Sequence, residues 1–157
     1  MVRRMSKMLE YMQARLRGEI PPPAIGKLIG MSFTAFSGGR ATYELEAGPQ
    51  HANAMGTVHG GVFCDLADAA MGFALGTTLE DGETFTTLEL HINYFKPIWS
   101  GKLRGEGRVV KRGRTVAVVE CEITDPEGSL VARASSTCLI LAGKAAEGRT
   151  VGGGSAP

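Results

Sequence analysis

The sequence predicts an α+β domain, and a strongly curved antiparallel sheet around one long helix satisfies its order of elements. Three observations predict it. Residues 58–75 are apolar or small almost throughout, without proline. Six other segments read as extended, most of them separated by short turn sequences. The 157 residues suffice for one domain with its own core.

The first element is a helix over residues 3–17. Met5, Met8, Leu9, Met12 and Leu16 recur at helical spacing, and Arg3, Arg4, Lys7, Arg15 and Arg17 supply a polar face. Gly18 and Pro21-Pro22-Pro23 stop it, so residues 1–20 form an amphipathic N-terminal unit. A basic amphipathic helix can bind membrane or nucleic acid, but more often packs on its own domain or on a subunit neighbour, and that is the expectation here. It is too short for a helix-turn-helix. Residues 27–36 and 39–46 read as two strands around the turn Ser37-Gly38-Gly39. A loop over residues 48–57 holds His51, Asn53 and Met55.

The long helix follows. Gly60 and Gly61 open it, and apolar or alanine side chains occupy 62, 63, 66, 67, 69, 70, 71, 73, 74 and 75. A helix apolar on all sides is a buried one, and this one is too short to span a bilayer. It carries two acids, Asp65 and Asp68, which are neighbours on a helix surface. An acid in an apolar setting has a raised pKa or a partner. Asp65 lies near the amino end, where the helix dipole favours negative charge, and reads either as an ordinary early-turn acid or as a substrate contact. Asp68 lies further in, gains less from the dipole, and reads as functional.

Glu80-Asp81-Gly82-Glu83 is an exposed turn, and residues 85–95 are a long strand ended by Pro97. Strict alternation puts Leu88, Leu90, Ile92 and Tyr94 on one face and Thr87, Glu89, His91, Asn93 and Phe95 on the other. Residues 102–111, 114–124 and 129–141 are three more strands, joined by tight turns at Arg112-Gly113 and Asp125-Pro126-Glu127-Gly128. In the second of these, apolar residues fall on both faces, which predicts cover on both. Residues 143–157, rich in glycine and small side chains, read as a flexible tail.

His59-Gly60-Gly61, then Leu66-Ala67-Asp68, with Asn53 six residues before the histidine, resembles the hotdog-fold acyl-CoA thioesterases. Residues 87–97, TLELHINYFKP, stand at the spacing of that family. The similarity is greatest to the phenylacetate-pathway (PaaI-like) branch and the thioesterase superfamily member 2 type. It implies a hotdog domain over residues 25–142 and hydrolysis of an acyl-CoA to a free acid and coenzyme A.

That reaction needs an activated water or an attacking carboxylate, and stabilisation of an oxygen that turns negative. Asp68 is the candidate general base or nucleophile. Unpaired N–H groups at Gly60 and Gly61, at the positive end of the helix, suit the oxyanion and let substrate approach closely. Asn53 adds a side-chain N–H, and His59 orients by hydrogen bonding. Asp68 stands eight residues beyond Gly60, about 12 Å along the same helix, too far to serve a carbonyl bound there. The resemblance implies the answer: a homodimer in which His59, Gly60 and Asn53 of one chain face Asp68 and Thr87 of the other, dimers pairing into a homotetramer. Thr87 matches the hydroxyl that orients water in the family. Lys111, Arg112 and Arg114 cluster at a turn where they can meet coenzyme A phosphates, or form a solvated hairpin tip.

Composition narrows the alternatives. The formal net charge of +1 makes no case for nucleic acid, and no Walker loop or GxGxxG argues for a nucleotide cofactor. The three cysteines, Cys64, Cys121 and Cys138, show no CxxC pairing, which argues against a disulfide framework or zinc site and suits a reducing cytoplasm. Cys64 near the helix start is a weak nucleophile candidate beside the carboxylate. No cofactor, no metal and no membrane segment are expected. Two other functions compete: a hotdog hydratase acting on enoyl or 3-hydroxyacyl thioesters, and a non-catalytic acyl-CoA binding module.

Overall fold

The computed structural model describes residues 5–149 and 151. Helix α1 spans Lys7–Leu16, and the Ser6 hydroxyl caps it by accepting from the Leu9 N–H. Arg3 and Arg4 of the expected helix lie outside the described residues. Arg15, expected on the polar face, is buried at 9% exposure instead, because α1 turns that side inward along with Met12. Helix α2, Ala24–Ile29, replaces the beginning of the expected first strand. Pro23 and its neighbours set the chain for a helical turn. Gly30 at φ 86° ends it in the left-handed conformation that glycine adopts freely.

The strands are β1 (Met31–Ser37), β2 (Arg40–Ala47), β3 (Glu83–Tyr94), β4 (Gly101–Arg112), β5 (Val116–Thr124) and β6 (Leu130–Ala142). They form one sheet in the order β1-β2-β4-β5-β6-β3, and every neighbouring pair is antiparallel. Helix α3, Gly60–Gly76, packs across β2, β4 and β5. Its Phe63, Leu66, Ala70, Met71 and Leu75 are buried. Two glycines of β4 let it come close: a Cβ at Gly105 would press on Leu66, and one at Gly107 would overlap the Ala70 carbonyl.

The sheet covers one side of α3 and α1 covers part of its carboxyl-terminal half, where Tyr11 meets Phe73. The helix is therefore not enclosed on all sides, as its composition predicts. Asp68 is exposed, and Cys64 and Asp65 are half-buried. In β5, too, the alternation is cleaner than expected. Ala117, Val119, Cys121 and Ile123 face the core, while Val116 and Val118 stand exposed on the outer face.

Strand β3 carries a bulge. Thr87 pairs with Cys138 and Glu89 with the next residue back, Thr137, leaving Leu88 as the extra residue. Strict alternation puts Thr87 opposite to Leu90, Ile92 and Tyr94. The bulge corrects this: Thr87 and Tyr94 both reach α3. Past β6 the segment read as a tail begins with a 3-10 turn, Gly143–Ala146, and the Arg149 guanidinium donates to the Phe85 carbonyl. Residues 150 and 152–157 lie outside the described residues.

Candidate active site

Asp68 is the centre of the site. Its carboxylate accepts from the Thr87 hydroxyl at 3.3 Å, within one chain. Desolvation by the surrounding protein raises its pKa above the ordinary carboxylate range, and the Thr87 hydrogen bond offsets part of that rise. The pKa of Asp65 is raised as well, first by desolvation and then by the charge of Asp68. A carboxyl group with a raised pKa and a fixed hydroxyl neighbour suits general acid–base chemistry.

Two cavities flank Asp68, and Ala69 and Phe73 line both with it. The larger, about 380 Å³, runs between Met8, Tyr11, Phe85 and Arg149. The smaller, about 220 Å³, reaches Arg15, Met31 and Tyr43 and also includes Asp65. Tyr11, Arg15, Tyr43 and Arg149 are absent from the sequence-based set. Arg15 reads there only as a polar-face residue, and Arg149 falls in the segment read as a tail.

The amino end of α3 differs in one respect from the expected donor pair. The His59 ring caps the helix, its Nδ1 accepting from the Gly61 N–H at 2.9 Å. Gly61 is thus not a free donor, whereas the Gly60 N–H meets no acceptor among the described residues. Because Nδ1 accepts, the proton of a neutral His59 sits on Nε2. Tyr94 braces the same turn: its hydroxyl donates to the Gly60 carbonyl at 2.9 Å and lies 3.5 Å from the Cys64 sulfur. A Cβ at Gly60 would come within 2.9 Å of that hydroxyl oxygen, so a larger residue there would have to push the Tyr94 ring aside.

Asn53 closes its own loop. Its Oδ1 accepts from the Met55 N–H at 2.9 Å, and its Nδ2 donates to the Thr57 hydroxyl at 3.0 Å. The second Nδ2 proton remains available to a ligand. The loop is anchored by a bond from the His59 N–H to the His51 carbonyl, 2.8 Å. The buried His51 ring is itself taken up, donating to the Ile29 carbonyl and accepting from the Gly48 N–H.

Of the basic turn, Arg112 is engaged: its guanidinium pairs with Glu83 at 2.7 Å and donates to the Gly113 carbonyl. Lys111 and Arg114 are exposed. No three His, Cys, Asp or Glu side chains gather as a metal-binding group among the described residues. No helix among them is long and apolar enough to cross a membrane.

A curved antiparallel sheet on one long helix, with a carboxylate on the helix's open flank, defines a hotdog-fold domain. The sequence pattern of the Thioesterase superfamily matches residues 55–132. The chain is 34% identical to the phenylacetic acid degradation-related protein of Ralstonia eutropha JMP134, at TM-score 0.75 over 82% of this chain and 98% of that one. Human acyl-coenzyme A thioesterase 13 is 31% identical over 101 residues, 63% of this chain and 71% of the relative. The PaaI protein of Escherichia coli shares the fold at TM-score 0.75 and 20% identity, over 87% of this chain and 98% of that one. The chain belongs to the Thioesterase superfamily.

Proposed function

We propose that this thioester hydrolase acts on acyl-CoA thioesters, with Asp68 as general base or nucleophile. The observation that carries the reading is the Asp68–Thr87 pair on the open flank of α3, set between two cavities. As base, the carboxylate takes a proton from water held by Thr87 while the water oxygen attacks the thioester carbon. The tetrahedral oxyanion is met by the Gly60 N–H and the Asn53 Nδ2–H. Collapse breaks the C–S bond, and the coenzyme A thiolate leaves with the proton from Asp68. As nucleophile, Asp68 attacks the thioester carbon, the C–S bond breaks to release the coenzyme A thiolate, and water then opens the resulting anhydride, returning Asp68 as carboxylate and giving up a proton to the thiolate. One oxyanion donor is worth about 3–4 kcal/mol in such a transition state.

These groups come from two chains. Gly60 and Asp68 stand about 12 Å apart on one rigid helix. Strand β3, 12 residues long, is a sheet edge, with its Leu88 56% exposed. A long apolar edge invites pairing with a second copy. A homodimer joined there brings Asp68 and Thr87 of one protomer toward Gly60, His59 and Asn53 of the other. The exposed Val116 and Val118 suit the further pairing of dimers into a tetramer. Lys111 and Arg114 face the coenzyme A phosphates, and the cytoplasm suits three unpaired thiols.

Thiol release from a panel of acyl-CoA thioesters tests the reading. Turnover by the wild type and its loss by about a hundredfold or more in Asp68→Ala are expected. Near-normal turnover in folded Asp68→Ala, or hydration of crotonyl-CoA without thiol release, contradicts it.

A further inference from the structure

Among the described residues, Arg15 is the one buried cation that the proposed chemistry leaves unused. It is 9% exposed, and its Nε is buried without a hydrogen-bond partner. Its Nη1 donates to the Tyr11 hydroxyl at 3.2 Å, and the guanidinium lies 5.9 Å from the centre of that ring. The two residues stand four apart on α1 and so share a face. Asp65 and Asp68 line the same cavity as Arg15, yet neither forms an ion pair with it. The hydroxyl of Tyr43, also on that cavity, has no hydrogen-bond partner among the described residues.

A guanidinium stays protonated under all ordinary conditions, so burial does not neutralise it. A buried charge without a counter-charge costs several kcal/mol. One ring face and one hydroxyl offset only part of that. The guanidinium and the Tyr43 hydroxyl present donors to the cavity, and the two acids that share its wall, Asp65 and Asp68, accept from neither. The opposite partner for such a set is a carboxylate, which a guanidinium binds through two parallel hydrogen bonds. Apart from these donors and the acids Asp65 and Asp68, the cavity wall is mostly apolar, with Met31, Ile25 and Phe73 its larger side chains. Such a wall suits a short methylene chain.

We propose that this cavity receives an acyl group ending in a carboxylate, which Arg15 binds, so that the substrates are thioesters of dicarboxylic acids. The proposal rests on Asp68 acting on the thioester end. Hydrolysis then yields the free dicarboxylic acid and coenzyme A.

The test compares adipoyl-CoA with hexanoyl-CoA, which have equal chain length, in the wild type, Arg15→Met and Arg15→Lys. In the wild type, kcat/KM favours adipoyl-CoA by at least about tenfold. Arg15→Met lowers kcat/KM for adipoyl-CoA by about a hundredfold, the size expected when one partner of a buried charge pair is removed, and leaves hexanoyl-CoA within about twofold. Arg15→Lys retains part of the preference. The Tm of Arg15→Met without ligand equals or exceeds that of the wild type, since an unpaired buried charge has gone. Equal use of the two thioesters by the wild type, or an equal loss on both in Arg15→Met, overturns the inference while the thioesterase reading stands. Calorimetric titration with free adipate and hexanoate decides it without catalysis: saturable adipate binding that Arg15→Met abolishes supports it, and no adipate binding overturns it. If no acyl-CoA is cleaved, the thioesterase reading fails, and the adipate titration still decides the role of Arg15.

Discussion

Mixing two inactive chains tests whether the site is shared. Asp68→Ala removes the proposed base and is expected to lower kcat by about 10²–10⁴. Asn53→Ala removes the proposed oxyanion donor and is expected to lower it by about 10²–10³. Random exchange at equal concentration makes half of the dimers hybrid. In each hybrid one site carries both substitutions. The other combines an intact Asp68 with an intact Asn53. Activity of the mixture therefore recovers to about one quarter of wild type, given two sites per symmetric dimer. The proposed sharing rests on the α3 geometry, because the roughly 12 Å between Gly60 and Asp68 is fixed by the rise of the helix. The assay is thiol release after co-refolding, with hybrid formation verified by differently tagged chains. Asn53 also ties its own loop through Met55 and Thr57, so the folding of each parent is checked by circular dichroism. Activity equal to the mean of the parents, in a mixture shown to contain hybrids, would refute the shared site.

Three further outcomes follow from the structure. Since desolvation raises the Asp68 pKa and the Thr87 hydroxyl lowers it, kcat/KM falls as pH drops through a point above the ordinary carboxylate range; Thr87→Val moves that point higher, and an unmoved pH profile would show that Thr87 does not hold the carboxylate. Gly107→Ala drives a methyl group into the Ala70 carbonyl, a backbone atom that cannot rotate away, and lowers stability by about 3 kcal/mol in urea unfolding; an unchanged midpoint would mean that α3 does not lie so near β4. Turnover survives EDTA and the Cys64→Ala substitution, because proton transfer to Asp68 needs neither metal nor thiol; loss on chelation with recovery by one added metal would reassign His59 and Asp68 as ligands.

The sequence by itself determined the fold class, the long helix and most strand positions. Composition and periodicity are local properties, and glycine, proline and the Asp125 turn mark boundaries that the structure keeps within a few residues. Asp68 was legible as an acid among apolar residues, and the pairing of Gly60 with a helix start was legible from its neighbours. Tertiary structure alone decided which way Thr87 points. A bulge at Leu88 depends on how β3 registers against β6, and a period of two read along one strand contains no information about its partner. It decided that Asp68 stands on an open flank, because the curved sheet can cover only one side of α3. It placed His59 over the Gly61 N–H, where the His59 backbone is held by its bond to the His51 carbonyl. It also buried Arg15: helical spacing assigns faces relative to one another, but which face turns inward follows from what the rest of the chain puts beside it.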